Sequence, residues 1–319
     1  MMKTGKLFLA AAAALSLATS AQAADHLRIG RSPAFAFAYV PLEIAKSQGM
    51  LQKEGIDVEI ISFEGASKMD MGMTSGSVDI TLGSPTELAA IAKGMPAKAV
   101  AIIARPVKEL AIIVPYDSPI KSIKELKGKS IGIATVGSIT QWAALELARS
   151  QGWKPEDVKL VSISSGGGAA AAAMKTHQVD ADVANLMSGV VMEKQKVARV
   201  IANASDFASD FPMHEMSASD ALIEANPDAI RRFIKAWFEA AAFMREHKAE
   251  AIEAAMPVTG LSQEDEEKEY DLLMPEITSN GKHEPAMMQR VAESFLELKL
   301  LDHKPDMEKL YTNKFLPKE

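Results

Sequence analysis

An apolar run, Ile131-Gly132-Ile133-Ala134, stops at Thr135-Val136-Gly137-Ser138, and a helical pattern then runs from Thr140 to Ser150. The first backbone N–H groups of any helix lack intrahelical acceptors. Gly137 lets the chain fold back closely, and Ser138 and Thr140 bring two hydroxyls to the same turn. Such a turn suits an oxygen of a carboxylate, sulfonate or phosphate. It suits an ordinary helix cap equally well, with Ser138 or Thr140 satisfying its own backbone. The stretch alone leaves the two open.

Other chemistry is sparse. The six histidines are His26, His177, His214, His247, His283 and His303, and no two stand three or four residues apart. An HExxH zinc helix is therefore excluded. There is no G-x-S-x-G elbow and no GxxxxGK[ST] phosphate loop. Gly166-Gly167-Gly168 has the glycines of a nucleotide loop without its spacing, and reads as a flexible turn. Asp180 and Asp182 share a face of one predicted strand, with Asp180 closing the turn before it, and nothing recommends Glu193 or Asp206 as an acid. Acid–base chemistry needs a positioned pair, and none is visible. The chain has no cysteine, so thiolate nucleophiles, thiolate metal sites and disulfides are excluded. The expectation is a protein that binds without catalysis, and without cofactor or metal.

The elements around these residues alternate. His26–Gly30, Ile56–Ile61, Val78–Leu82 and Ala97–Ile103 read as strands, with helical patterns at Tyr39–Gln48, Lys68–Thr74 and Thr86–Lys93 between them. The rhythm restarts with strands Leu110–Val114, Ile131–Ala134, Val158–Ile163 and Val179–Val183, and with helices Thr140–Ser150, Ala169–Lys175 and Leu186–Lys194. This is α/β architecture with parallel sheets, used twice. Ligands in such sheets sit beyond the carboxyl ends of the strands, where Ser32, Gly65 and Ser84 occupy turns. After Asn226-Pro227 the chain is helical; Ile230, Phe233, Ile234, Trp237 and Phe238 form one stripe, read as core. The acidic run Glu264–Glu269 reads as a solvated face, and Val291–Leu301 as a last amphipathic helix.

The balance of 35 basic and 42 acidic residues, without a basic block, excludes nucleic acid as a partner. At the N-terminus, Lys3 and Lys6 precede the apolar stretch Leu7–Leu17 and the small-residue site Ala21-Gln22-Ala23. This is the layout of a secretory signal peptide over residues 1–23, cleaved after Ala23. The expected location is the periplasm, and the expected state a monomer.

In this order and spacing, further phrases resemble a known family. They are Tyr39-Val40-Pro41 through Gly49-Met50-Leu51, Glu54-Gly55-Ile56-Asp57-Val58, and Gly76-Ser77-Val78-Asp79-Ile80 with Gly83 and Ala92-Lys93-Gly94. Ile123-Lys124-Glu125-Leu126-Lys127-Gly128 leading to Gly137-Ser138, then Val179-Asp180-Ala181 and Asn226-Pro227, complete the series. Together they resemble the exported solute-binding proteins of ABC importers of the nitrate/sulfonate/taurine type, related to proteins that bind thiamine precursors. The resemblance implies a two-lobed periplasmic-binding-protein clamshell (type II), each lobe a mostly parallel sheet flanked by helices. Lobe 1 would comprise residues 24–114 plus 211–319, and lobe 2 residues 115–210.

It also implies a site. Ser32, Phe35, Gly65, Ala66 and the Gly83-Ser84 turn would contact solute from lobe 1; Thr135, Gly137, Ser138, Thr140 and Asn185 would do so from lobe 2. The solute would be small, organic and anionic, such as a sulfonate or carboxylate, and would be delivered to an inner-membrane permease. The turns offer no arginine clamp beyond Arg31, and Phe35-Ala36-Phe37-Ala38 is apolar where a polar site would show more donors. The alternatives are a sensor docking on a membrane receptor, and an enzyme of the same fold such as a pyrimidine-precursor synthase. That enzyme would need a cysteine- and histidine-rich iron centre, which a chain without cysteine lacks.

Overall fold

The computed structural model describes residues 24–163, 167–208 and 211–318. The expected signal peptide, its cleavage site at Ala23, and Gly166 lie outside the described residues.

The first unit is β1 (Asp25–Arg31), α1 (Val40–Ser47), α2 (Met50–Lys53), β2 (Ile56–Ser62), α3 (Ala66–Thr74), β3 (Ile80–Gly83), α4 (Glu87–Ala92) and β4 (Ala97–Ala104). The second is β5 (Leu110–Pro115), β6 (Ser130–Ile133), α5 (Ile139–Ser150), β7 (Lys159–Ser162), α6 (Gly167–Lys175), β8 (Ala181–Asn185), α7 (Leu186–Lys194) and β9 (Ala198–Asn203). The chain then returns through β10 (His214–Ser219) and ends in α8 (Asp220–Ala225), α9 (Pro227–Glu246), α10 (Lys248–Thr259), α11 (Gln263–Leu273) and α12 (Pro285–Glu297).

Two five-stranded sheets result, ordered β2-β1-β3-β10-β4 and β7-β6-β8-β5-β9. In each, four strands run one way and one runs against them. That strand is β10 in the first sheet and β5 in the second. Both odd strands directly follow a crossing between the lobes, so each lobe receives its antiparallel member from a hinge segment. The fold is the expected two-lobed α/β clamshell, with mixed sheets flanked by helices.

Two boundaries differ from expectation. Because β5 pairs entirely within the second sheet, the first crossing is residues 105–109 rather than the end of the strand at Val114. And α12, expected in lobe 1, touches both lobes. Ser294 Oγ accepts from Trp142 Nε1 of α5 at 3.2 Å, while Met287, Val291 and Phe295 of α12 join the apolar cluster that holds Leu88 of α4 and Ala99 of β4. A third difference concerns the acidic run. Asp265, Glu266 and Glu269 of α11 are buried, not solvated, because the same helix buries Tyr270 and Leu273 along that side.

The apolar stripe of α9 explains its place. Ile230, Phe233, Ile234 and Trp237 are all at most 1% exposed, and they pack with Leu42, Ile44 and Phe37 under the first sheet. Each such side chain contributes about 1.5–3 kcal/mol by leaving water. Asn226 caps α9, its Oδ1 accepting from Ala229 N at 3.2 Å, and Pro227 stands at the first helical position, where no N–H is needed.

Candidate ligand-binding site

The strands β1, β2, β3, β6 and β8 point their carboxyl ends at the gap between the lobes. The turns that follow them line one cleft, of about 780 Å³ counted out to its open mouth. From lobe 1 come Ser32, Phe35, Gly65, Ala66 and Ser84; from lobe 2 come Ser138, Thr140 and Asn185. Eight of the ten expected residues therefore meet in one place. Thr135 and Gly137 stand outside the lining. Gly137 is exposed, and its N–H donates to Gln141 Oε1 at 2.6 Å.

The turn before α5 uses its hydroxyls internally. Ser138 Oγ donates to the Thr135 carbonyl at 2.7 Å and accepts from Gln141 N at 3.3 Å. Thr140 Oγ1 accepts from Ala134 N at 2.8 Å and lies 2.8 Å from Ser138 Oγ. The capping role is thus filled, and the Ile139 and Thr140 amides are what the turn leaves for a guest. A Ser138→Ala, Thr140→Ala double change is accordingly expected to cost stability as well as affinity, by about 1–3 kcal/mol on the scale of lost caps. Urea unfolding checks it, and an unchanged midpoint would show that the hydroxyls do not hold the turn.

Residues that sequence reasoning missed organise the hinge side. Glu109 lies in the first crossing and is buried. Its carboxylate accepts from His214 Nε2 at 2.7 Å and from Asn185 Nδ2 at 3.2 Å, and its carbonyl accepts from Leu186 N at 2.8 Å. His214 opens the strand after the second crossing, so this pair ties both hinge segments to the start of α7. The other face of the imidazole meets Tyr39, whose hydroxyl lies 3.1 Å from His214 Nδ1 and donates toward the Ser32 carbonyl at 3.0 Å. Burial pushes the Tyr39 phenol well above its ordinary range. Asn185 Oδ1 accepts from Ser188 N at 3.1 Å, capping α7.

Asp182, read in the sequence only as half of a strand carboxylate pair, also belongs to this space. It lines the cleft from the middle of β8 and is buried. Desolvation pushes its carboxyl up to about 7. Met192, Met213, Leu110 and Ile139 add apolar wall, and among the described residues no lysine or arginine lines the cleft. Arg31, beside the Ser32 turn, is taken by Glu43 at 3.1 Å and Ser62 at 3.0 Å. An aspartate inside the otherwise apolar Ala181-Asp182-Val183-Ala184 was the available signal, since an unpaired strand carboxylate is rarely buried without purpose.

The lobes touch across the mouth. Ser67 Oγ of α3 donates to the Val136 carbonyl at 2.6 Å. Gly65, at φ 104°, lies so close to Thr135 that an added Cβ would meet its Cγ2 at 2.5 Å.

Two α/β lobes, two hinge crossings and one cleft lined from both sides define the bilobal binding-protein class of fold. A family model described as NMT1/THI5 like matches residues 36–251, and the chain belongs to that family. It is 26% identical over 99% of its length to a Bacillus subtilis protein provisionally named for binding aliphatic sulfonates, covering 97% of that protein. It is 23% identical to the riboflavin-binding protein RibY of Chloroflexus aurantiacus, over 88% of this chain and 82% of the other. Among solved structures, the alkanesulfonate-binding protein SsuA from Xanthomonas axonopodis pv. citri, bound to MOPS, superposes with a TM-score of 0.76. It shares 20% identity, covering 90% of this chain and 98% of that one.

Proposed function

We propose that the chain is the exported solute-binding component of an ABC importer, which takes one small organic molecule between its lobes and presents it to a membrane permease. The observation that carries this reading is the cleft itself: side chains of both lobes and of the hinge converge on one space, and Ser67 and Val136 bridge its mouth. The named relatives support the same reading, since their names specify the binding of sulfonates and riboflavin. A location in the periplasm fits the signal-peptide layout of residues 1–23.

Closure on solute is the expected mechanism: a ligand that touches both lobes binds the closed form best and shifts the population toward it. A solute that raises the melting temperature is expected to shrink the radius of gyration in small-angle X-ray scattering. A stabilising solute that leaves the radius unchanged, and a crystal that places it outside the cleft, would overturn the reading. Under the sensor alternative the cleft works identically, and only the membrane partner captured by the closed form differs.

The expected anionic solute fits less well. Among the described residues, two carboxyl groups line the cleft and no cationic side chain does. What remains for an anion is the pair of amides at Ile139 and Thr140, worth about 0.3–1 kcal/mol through the helix dipole.

A further inference from the structure

Resting on the binding reading above, we infer that the solute carries a nitrogen donor group — an amine, amidine or ring amino group — that seats against Asp182, with its less polar body held by Phe35, Met192 and Met213. Asp182 is 3% exposed yet borders the cleft. Among the described residues no side chain donates to it, and only the Val183 amide supports it. A carboxylate so largely withdrawn from water favours its protonated form until a donor meets it. The fold makes room for it all the same. Gly132 on the neighbouring strand leaves the space, since a Cβ there would lie 2.5 Å from Asp182 Oδ1. A buried acceptor that faces the cleft and lacks a donor is completed by a donor arriving with the solute.

The surroundings offer no substitute. Glu109, the other carboxylate of the lining, is engaged by His214 and Asn185. β5 and β6 carry no ionisable side chain. On α5, Arg149 pairs with Glu146. On α6, Lys175 is exposed; on α7, Glu193 is exposed and Lys194 reaches Asp265 of α11. A sulfonate would bring another negative charge to this lining, whereas an ammonium or amidinium would neutralise Asp182 at short range.

Matched probes test this on the full processed protein: benzamidine, benzylamine and 4-amino-2-methylpyrimidine against benzoate and benzenesulfonate. Thermal shift and titration calorimetry read binding, and native mass spectrometry reads any retained solute. The nitrogen probes are expected to bind. Benzamidine and benzylamine stay charged throughout, so their affinity should fall about tenfold as the pH drops across the Asp182 transition near 7. The isosteric change Asp182→Asn should weaken them at least about tenfold; the pH series needs no variant and so stands if that protein misfolds. Binding by the anions alone, affinity that rises as the pH falls, or undiminished binding by Asp182→Asn would overturn the inference while leaving the solute-binding reading intact. If no probe binds and no solute is retained, that reading falls, and this inference with it.

Discussion

Gly65→Ala is expected to weaken solute binding by about a hundredfold or more while both lobes stay folded. The added methyl would sit 2.5 Å from Thr135 Cγ2 and 3.0 Å from its Oγ1, both on the opposite lobe. Neither clash exists when the lobes are apart. The residue also holds φ 104° and ψ 152°, a region costing about 1–3 kcal/mol for anything but glycine. If the clash disfavours the closed form by about 3 kcal/mol, apparent affinity drops by more than two decades, because only the closed fraction binds tightly. Titration calorimetry measures the loss, and circular dichroism checks the fold. Adding Thr135→Ala removes both nearest contacts and leaves the turn strain in place. The double variant should therefore recover part of the affinity, and the cycle separates the two terms. Full affinity in Gly65→Ala would mean that the lobes do not meet at this point.

Trp142→Ala is expected to cost about 3–5 kcal/mol of stability, the range for emptying a large aromatic site, and roughly 10 °C in melting temperature. Trp142 is 2% exposed and stacks on Phe211 with centroids 3.8 Å apart. Its indole N–H donates to Ser294. One side chain thus joins α5, the second crossing and α12. Trp142→Phe keeps the stacking surface and loses the hydrogen bond, so it should cost only about 0.5–1.5 kcal/mol. Urea unfolding decides, and a loss below about 1 kcal/mol for the alanine variant would contradict the packing described.

The contrast between what could and could not be read in advance has a physical basis. Helices and parallel strands announce themselves by apolar period, and α7 occupies Leu186–Lys194 as the pattern places it. β10 did not announce itself. His214, Glu215, Ser217 and Ser219 make it polar, yet all six of its residues are buried. Their partners lie far off in sequence: Glu109 for His214, and His283 for Glu215 at 3.3 Å. Local pattern cannot report a buried polar strand whose partners for His214 and Glu215 come from distant segments. The same holds for the cleft. The turn residues Ser32, Gly65, Ser84 and Ser138 were legible because strand ends carry ligand turns. Glu109 was not, because its importance comes from lying in the crossing between two lobes whose boundary the sequence placed a strand too late. The acidic stretch of α11 misled for the opposite reason: charge suggests water, but Thr259 donates to Glu266 from the preceding helix, Lys194 meets Asp265, and burial pushes the Glu269 carboxyl up to about 9.

The interior place of β10 has a bearing on how the protein is made. Residues 214–219 wedge between strands completed at residues 83 and 104. A ribosome therefore releases the whole of the second lobe before the first sheet can close. Until then β3 and β4 each keep an open edge, and the long-range pairing that seals them is slow by its topology. A nascent polypeptide in that condition is still threadable, which is the form in which a translocation channel accepts its cargo.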